Sequence, residues 1–544
     1  MSGDIHMKKL LALLLMAMLC ASSCSAASRR PDKDIVILYT NDVHCGVDQN
    51  IGYAGLAYYR QQMKKLTPYV PLIDAGDWSQ GETIGMISQG RYILEIMNAM
   101  NYDFVIPGNH EFDYGWGMFQ VFARDLKCGL SSCNLRDLRT GALVLTPYKI
   151  FTYGNVKAAF VGVCTPESLT KSTTTTYLDE TGKRIYGFDE DISGDKLIAS
   201  IQQAVDGAKA EGADYVIVAG HLGEYEDVTE VWSAPYIVAR TRGIDAFIDG
   251  HSHETTPSLM IKNADGKDTP ITQSGTKLAN IGKVTIHTDG TVKTELVASV
   301  HGRDEKITAL IHDIKARYED TIREHLSYTS FDLRAMDEHG AWLTRNRENT
   351  LCSLATDSFL ASAAETKTGK ADIALLNAGC VRANIKAGEI VFNDVLSVLP
   401  YNDTLCIAEV SGQTILDELE HGARTLPKLD GGFLHTSGLS CTIDARIPSP
   451  VRVDGTNTMT EIVGERRVRN VKINGEDIDP ERLYIVVSRE FVMFEGGNGH
   501  VFSGARRLES SYMVLSDALA HYLKKFDVLP ERYRENQGRI TVLQ

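Results

Sequence analysis

Several things are scarce or missing in this 544-residue chain. No apolar run reaches the ~20 residues that a membrane-spanning helix needs. Basic residues are outnumbered, 56 Lys+Arg against 71 Asp+Glu, for a formal net charge of −15. That balance argues against a nucleic-acid binder, which needs a basic stripe to displace counterions. It leaves an anionic substrate open, because bound metals and a few arginines can invert the field locally. There is no C-x-x-C metal knuckle and no internal repeat. With 43% hydrophobic and 23% charged residues, the composition is globular and neither disordered nor fibrous. The length suits two or three domains.

What is present begins with a leader. Lys8 and Lys9 precede the apolar run Leu10–Leu19, and small residues follow (Ala21, Ser22, Ser23, Ser25, Ala26, Ala27). This order reads as a secretory signal over residues 1–27, so the mature protein is expected to be exported, periplasmic or at the outer surface. Cys24 resembles a bacterial lipobox cysteine without the usual Leu three residues earlier. Lipid anchoring through Cys24 and plain cleavage near Ala27 both stay open. Of the remaining eight cysteines, Cys128 and Cys133 are close enough in sequence to bridge, and buried free thiols are the competing reading.

Short apolar runs follow at Ile35–Tyr39, Val70–Ile73, Phe104–Ile106, Ala158–Val163, Tyr215–Ala219 and Ala246–Ile248. Runs of this kind suit strands buried on both faces. From Asp304 to Arg323, apolar residues recur at three and four (Ile307, Leu310, Ile311, Ile314, Tyr318, Ile322) without Gly or Pro, which predicts a helix at a domain boundary. A helix over 349–365 and a strand over 372–376 should follow. The threonine-rich segment Lys171–Tyr177 reads as a solvated surface loop and not as a substrate lid.

Five of the strand ends carry the chemistry: Asn41-Asp42-Val43-His44, Gly76-Asp77, Gly108-Asn109-His110-Glu111, Gly220-His221 and Gly250-His251-Ser252-His253. Turns use Gly, Asn, Asp or Ser but have no need of His. The series D-x-H, G-D, G-N-H-E, G-H, G-H-x-H resembles the calcineurin-like metallophosphoesterases. The C-terminal part adds Asn377-Ala378-Gly379-Cys380-Val381-Arg382, Gly432-Phe433-Leu434 with Ser437-Gly438-Leu439, and Gly496-Gly497-Asn498-Gly499. Together these resemble the 5′-nucleotidase family over nearly all of the mature chain.

The resemblance implies that Asp42, His44 and His253 hold one metal ion, that Asn109, His221 and His251 hold another, and that Asp77 bridges them. Mixed imidazole and oxygen ligands suit Zn, Mn, Co or Fe, so two divalent transition-metal ions are expected. Some bacterial relatives carry Gln at the position of His253. His110 and Asp113 form the implied catalytic pair, with Asp113 orienting an imidazole that stabilises charge on the transferring phosphoryl. Glu111 reads as structural or as a second-layer residue, and Cys45 as a packed thiol.

For the substrate, the resemblance implies Arg345 and Arg382 as phosphate-binding arginines, with Asn377, also a substrate residue, opening the N-x-G-x-x-R element that Arg382 closes; a guanidinium fork matches phosphate oxygens bidentately. Arg347 is an ambiguous neighbour, and Thr350-Leu351-Cys352-Ser353 departs from the family's Asn-Leu-Gly-Asn. Tyr401 and Phe491 match the two aromatics that sandwich a base, with Phe494 a rival because this segment is one residue longer than usual. Asn498 stands where relatives have an Asp that binds ribose hydroxyls.

The expected architecture is α/β: a four-layer α/β/β/α metallophosphoesterase sandwich (33–302), a linker helix (303–325) and an α+β substrate-binding domain (326–544). The expected activity is metal-dependent hydrolysis of nucleoside 5′-monophosphates, with a small-molecule nucleotide as partner and no nucleic acid. Rivals are a 2′,3′-cyclic phosphodiesterase with 3′-nucleotidase activity, a nucleotide-sugar hydrolase, and a non-enzymatic surface binding or adhesion protein. The oligomeric state, monomer or dimer, stays open.

Overall fold

The computed structural model describes residues 29–544 except 180–181, 225–227, 402 and 455–456. The leader expected at 1–27, with Cys24, lies outside the described residues. No helix among the described residues is long and apolar enough to cross a membrane.

The N-terminal domain begins with β1 (Ile35–Thr40), α1 (Gly52–Lys64), β2 (Leu72–Asp74), α2 (Arg91–Met100) and β3 (Phe104–Val105). It continues through β4 (Tyr148–Tyr153), β5 (Val156–Cys164), α3 (Asp195–Ala210), β6 (Tyr215–His221) and β7 (Ala246–Ile248). The hairpins β8 (Thr255–Lys262) with β9 (Asp268–Ser274), and β10 (Ile281–Ile286) with β11 (Val292–Val297), complete two sheets. Their strand orders are β11-β10-β1-β2-β3 and β8-β9-β7-β6-β5-β4.

Side-chain alternation along each strand builds the layers. Ile35, Ile37 and Tyr39 of β1 meet Ala158 and Phe160 of β5 in a core between the sheets. Val36 and Leu38 face the other way, onto Leu56 of α1 and Ile93 and Ile96 of α2. Ala159, Val161 and Val163 pack on Leu197, Ile201 and Val205 of α3. The result is the four-layer α/β/β/α sandwich expected from the sequence. Strands β1, β2 and β3 run parallel, as do β5, β6 and β7. Their carboxyl ends therefore open along common edges, where layered α/β proteins place ligands.

The helix expected at 304–323 is α4 (Glu305–Ile322), capped by the Asp304 side chain accepting from the Ile307 amide. Its Ile307, Ile311 and Ile314 pack in the same cluster as α1 and α2. Beyond it lie α5 (Thr350–Ala363), β12 (Ile373–Asn377), β13 (Thr404–Ser411), α6 (Gly412–Gly422), β14 (Leu434–Ser437), β15 (Leu483–Arg489) and β16 (Arg506–Val514). These strands form a sheet of order β14-β12-β15-β13-β16. Ala374 and Leu376 of β12 face Leu351 and Phe359 of α5, while Ile373 and Leu375 face Ile415 and Leu419 of α6. Parallel pairing of β12 with β15 brings Asn377 and Arg489 to one sheet edge. Cys128 and Cys133 are both free, so the bridge left open above does not form here.

Candidate metal centre and substrate cavity

The strand ends of the N-terminal domain converge. Asp42, His44 and His253 form one group whose ligand atoms lie within 4.8 Å of one another, and Asp77, His221 and His251 form a second. Asp77 reaches both: its Oδ2 is 3.8 Å from His44 Nε2 and 3.1 Å from His221 Nε2. Asp42 Oδ1 is 3.4 Å from His253 Nε2.

Backbone conformation holds the groups in place at a cost. Asp42, His44, Asp77, His251 and His253 all have φ between 45° and 83°, in the left-handed region that non-glycine residues avoid. Such strain persists where the surroundings over-determine it, and here hydrogen bonds do so. The Asp42 amide donates to Gly76 O (2.9 Å) and the His44 amide to Asp77 O (3.0 Å). Glu111 accepts from the amides of Asp77, Trp78, Ser79 and Gly108 at 2.6–3.0 Å, stapling two ligand loops together. This is the structural role expected for it. At Gly108 a Cβ would fall 2.2 Å from Asp77 Oδ1, so only glycine allows the loops to approach this closely.

The donor set fits a pair of ions. His221 Nδ1 donates to Ala75 O at 2.7 Å, which turns Nε2 toward the carboxylates. Asn109 Oδ1 is buried without a hydrogen-bond partner among the described residues, while its Nδ2 donates to Lys171 O at 2.9 Å. Buried polar atoms are normally satisfied, and this one belongs to a residue expected as a ligand. Burial opposes the charging of His221, but Asp77 and Asp42 outweigh it and lift the imidazole to about 10, a measure of the negative field a cation would meet. Burial, only partly offset by Asp77, takes His44 down to about 4.

His110 stands at the rim. Its Nδ1 is 2.6 Å from Asp113 Oδ2, and its Nε2 is 4.0 Å from Asp77 Oδ2. Burial lowers its basicity, but Asp113 and Asp77 prevail and raise it to about 10, which favours an imidazolium. The His110 amide donates to Asp77 Oδ1 at 2.9 Å.

A cavity of about 730 Å³ opens beside this centre, between the two domains. Its wall includes His110 and Asp113 from the N-terminal domain and Arg345, Asn377, Arg382, Tyr401, Phe491 and Asn498 from the C-terminal domain. All six expected substrate residues thus share one space with the expected catalytic pair. Phe494 does not line it and instead lies under Arg507, with the guanidinium carbon 3.8 Å from the ring centre. Arg345 and Arg382 both rest on Trp342, at 4.2 and 5.3 Å from its ring centre. Asn377 Nδ2 donates to Asn498 Oδ1 at 2.7 Å.

One sequence expectation is corrected. The segment read as a solvated loop contributes Lys171, Ser172 and Thr173, next to Thr170, to the cavity wall. Thr173 Oγ1 donates to Asp113 O (2.9 Å) and Thr176 Oγ1 to Phe112 O (2.8 Å), which draws the loop onto the turn that carries His110 and Asp113.

Sequence reasoning missed four residues. Glu167 Oε2 lies 2.8 Å from His251 Nε2 and also pairs with Lys171. Burial alone would raise its pKa, but hydrogen bonds from His251, Lys171 and Thr229 hold it down at about 2. Trp342, under Arg345 and Arg382, and Asp403 and Arg489, which strand pairing sets beside each other, complete the set; none sits in a motif.

A sandwich carrying this histidine–aspartate cluster at its strand ends defines a calcineurin-like metallophosphoesterase, and residues 35–255 match the calcineurin-like phosphoesterase family. Residues 334–504 match the 5′-nucleotidase C-terminal domain. The chain therefore joins a calcineurin-like phosphoesterase domain to a 5′-nucleotidase C-terminal domain, the make-up of a metal-dependent phosphoric monoester hydrolase. It is 24% identical to a 5′-nucleotidase of Bos taurus over 551 residues, covering 93% of this chain and 90% of that one. Two solved structures share the fold. One is a putative 5′-nucleotidase from Staphylococcus aureus (TM-score 0.68, 18% identity, 94% of this chain and 100% of that one). The other is a 5′-nucleotidase precursor from Thermus thermophilus (TM-score 0.61, 23% identity, 94% and 99%).

Proposed function

We propose that the protein hydrolyses nucleoside 5′-monophosphates to nucleosides and phosphate in the cavity between its domains. The observation that carries this reading is the shared wall: His110, Asp113, Arg345, Arg382, Tyr401 and Phe491 all line one cavity. Residues 33–302 and 326–544 are the proposed domains, with 303–325 the helix between them; separate hydrophobic cores support that division.

Asp42, His44 and His253 would hold one ion, Asn109, His221 and His251 the other, and Asp77 both. The ions would supply Lewis-acid charge to the phosphoryl oxygens. Arg345 and Arg382, stacked on Trp342, present two guanidinium forks to those oxygens. Asp113 fixes His110 through Nδ1, so the Nε2 proton is free to meet charge that develops as the bond to the ribose 5′-oxygen breaks. Tyr401 and Phe491 offer ring faces to a base, and Asn498 an amide to the ribose.

A panel of AMP, ribose 5-phosphate, 2′,3′-cyclic AMP and UDP-glucose, offered to metal-reconstituted protein, tests the reading. AMP should have the highest kcat/KM. A higher value for the cyclic or nucleotide-sugar substrate would replace it with one of the rivals, and no turnover of any substrate would favour a binding protein.

A further inference from the structure

Tyr401 and Phe491 supply ring faces, but a ring face accepts every base. Selection needs polar groups at the edge of the stacked ring, and one cation of the cavity wall stands beside both aromatic rings. Arg489 lines the cavity and is only 5% exposed. Its guanidinium carbon lies 4.5 Å from the centre of Phe491 and 5.8 Å from that of Tyr401, so it stands against both rings.

The strands fix this position. Arg489 ends β15, opposite Leu405 of antiparallel β13, and Asp403 just before β13 pairs with its Nη2. On the other side, Nη1 donates to Asn377 Oδ1 at 3.0 Å. Through Asn377 the guanidinium is joined to Asn498, on the same cavity wall. A guanidinium has five N–H donors in a rigid fork. Its Nε is buried and has no hydrogen-bond partner among the described residues. A buried donor left unmatched is costly, and an acceptor on a bound molecule would satisfy it.

We propose that Arg489, held by Asp403, is a specificity-determining residue that donates to an acceptor on the edge of the base stacked between Tyr401 and Phe491, a ring nitrogen or carbonyl oxygen. Two anchors fix the fork before substrate arrives, so little rotamer freedom is lost when the base binds. A leaving group without a heterocycle leaves the donor unmatched. The pocket is then selective for nucleotides over sugar phosphates through this contact as well as through stacking. The inference rests on the nucleotide reading above.

The test compares AMP with ribose 5-phosphate, which has the same sugar and phosphate but no base, in the metal-loaded wild-type, Arg489→Met and Arg489→Lys proteins. The AMP to ribose 5-phosphate ratio of kcat/KM should fall about tenfold or more in Arg489→Met, mostly through KM for AMP, as expected for loss of a charged hydrogen-bond donor. Arg489→Lys keeps the charge but not the fork and should recover part of the ratio. An unchanged ratio overturns the proposal. So does a raised ratio, which would mean that the guanidinium obstructs the sandwich. Equal losses on both substrates assign Arg489 to the fold and also overturn it. Failure of the nucleotide reading would show separately, as a wild-type protein that uses AMP no better than ribose 5-phosphate. If Tyr401→Ala lowers the ratio and Arg489→Met does not, the nucleotide reading stands and this inference falls.

Discussion

The metal centre and the proposed base-binding wall of the cavity beside it, the metal end and the base end of the site, are built on different principles. At the metal end, Asp42, Asp77 and His221 are buried, and five of the proposed ligand residues are held in left-handed backbone conformations. Backbone amides do much of the holding, through Glu111, Gly76 O and the Asp77 carboxylate. At the base end, Tyr401 is 37% exposed and Asn498 is exposed, and the holding is done by side chains, Asp403 to Arg489 to Asn377 to Asn498. Chemistry that needs ions at fixed separation favours rigid backbone placement, whereas recognition of a leaving group can be tuned by exchanging side chains on a cavity wall. Substitutions at the metal end should therefore abolish turnover, and those at the base end should redistribute it among substrates.

The sharpest break in that comparison is Asp77→Asn. Loss of the shared carboxylate should remove metal as well as rate, with activity down roughly 10³-fold or more, given the several kcal/mol that metal ions contribute to such transition states. Elemental analysis alongside kinetics checks it; a fully metallated, fully active variant would remove Asp77 from the centre. Next comes His110→Ala, which should keep both metals, lose about 10²–10⁴-fold in kcat, and change KM less. An unchanged kcat would leave His110 a structural role only.

Glu167→Gln sharpens the comparison from the second layer. Removing the carboxylate beside His251 should weaken metal affinity by about 10–100-fold while activity at saturating metal largely returns. Competition with a chelator measures this, and an unaltered affinity would show that His251 needs no orienting partner. The effect confined to a single substrate belongs to the base end. Tyr401→Ala should lower kcat/KM for AMP by about 1–3 kcal/mol and scarcely alter it for ribose 5-phosphate. Equal losses on both would make Tyr401 a support of the fold.

The same contrast explains what could be read from the sequence. Each metal-end residue lies within a few positions of a short apolar strand, so D-x-H, G-D, G-N-H-E, G-H and G-H-x-H are visible as local motifs. The helix at 304–323 was legible from its apolar spacing, and β1 from its apolar run. The base end is assembled from segments near 345, 377–382, 401–403 and 489–498, which only strand pairing joins. Arg489 and Asp403 carry no local signal, and neither does Trp342 under its two arginines. The segment from Lys171 looked solvated because it is polar; its hydroxyls instead bond the backbone of Phe112 and Asp113. The sequence favours Phe491 with Phe494 a close rival, and the fold separates them: Phe491 lines the cavity while Phe494 lies against Arg507.

The central claim is that phosphate release depends on two ions held at the strand ends. Metal-free protein, verified by elemental analysis, can be titrated with Mn²⁺ while phosphate release from AMP is followed. The account predicts negligible release at the start and full activity only as the second equivalent binds. Full turnover by the metal-free protein, or a plateau at one equivalent, would contradict it.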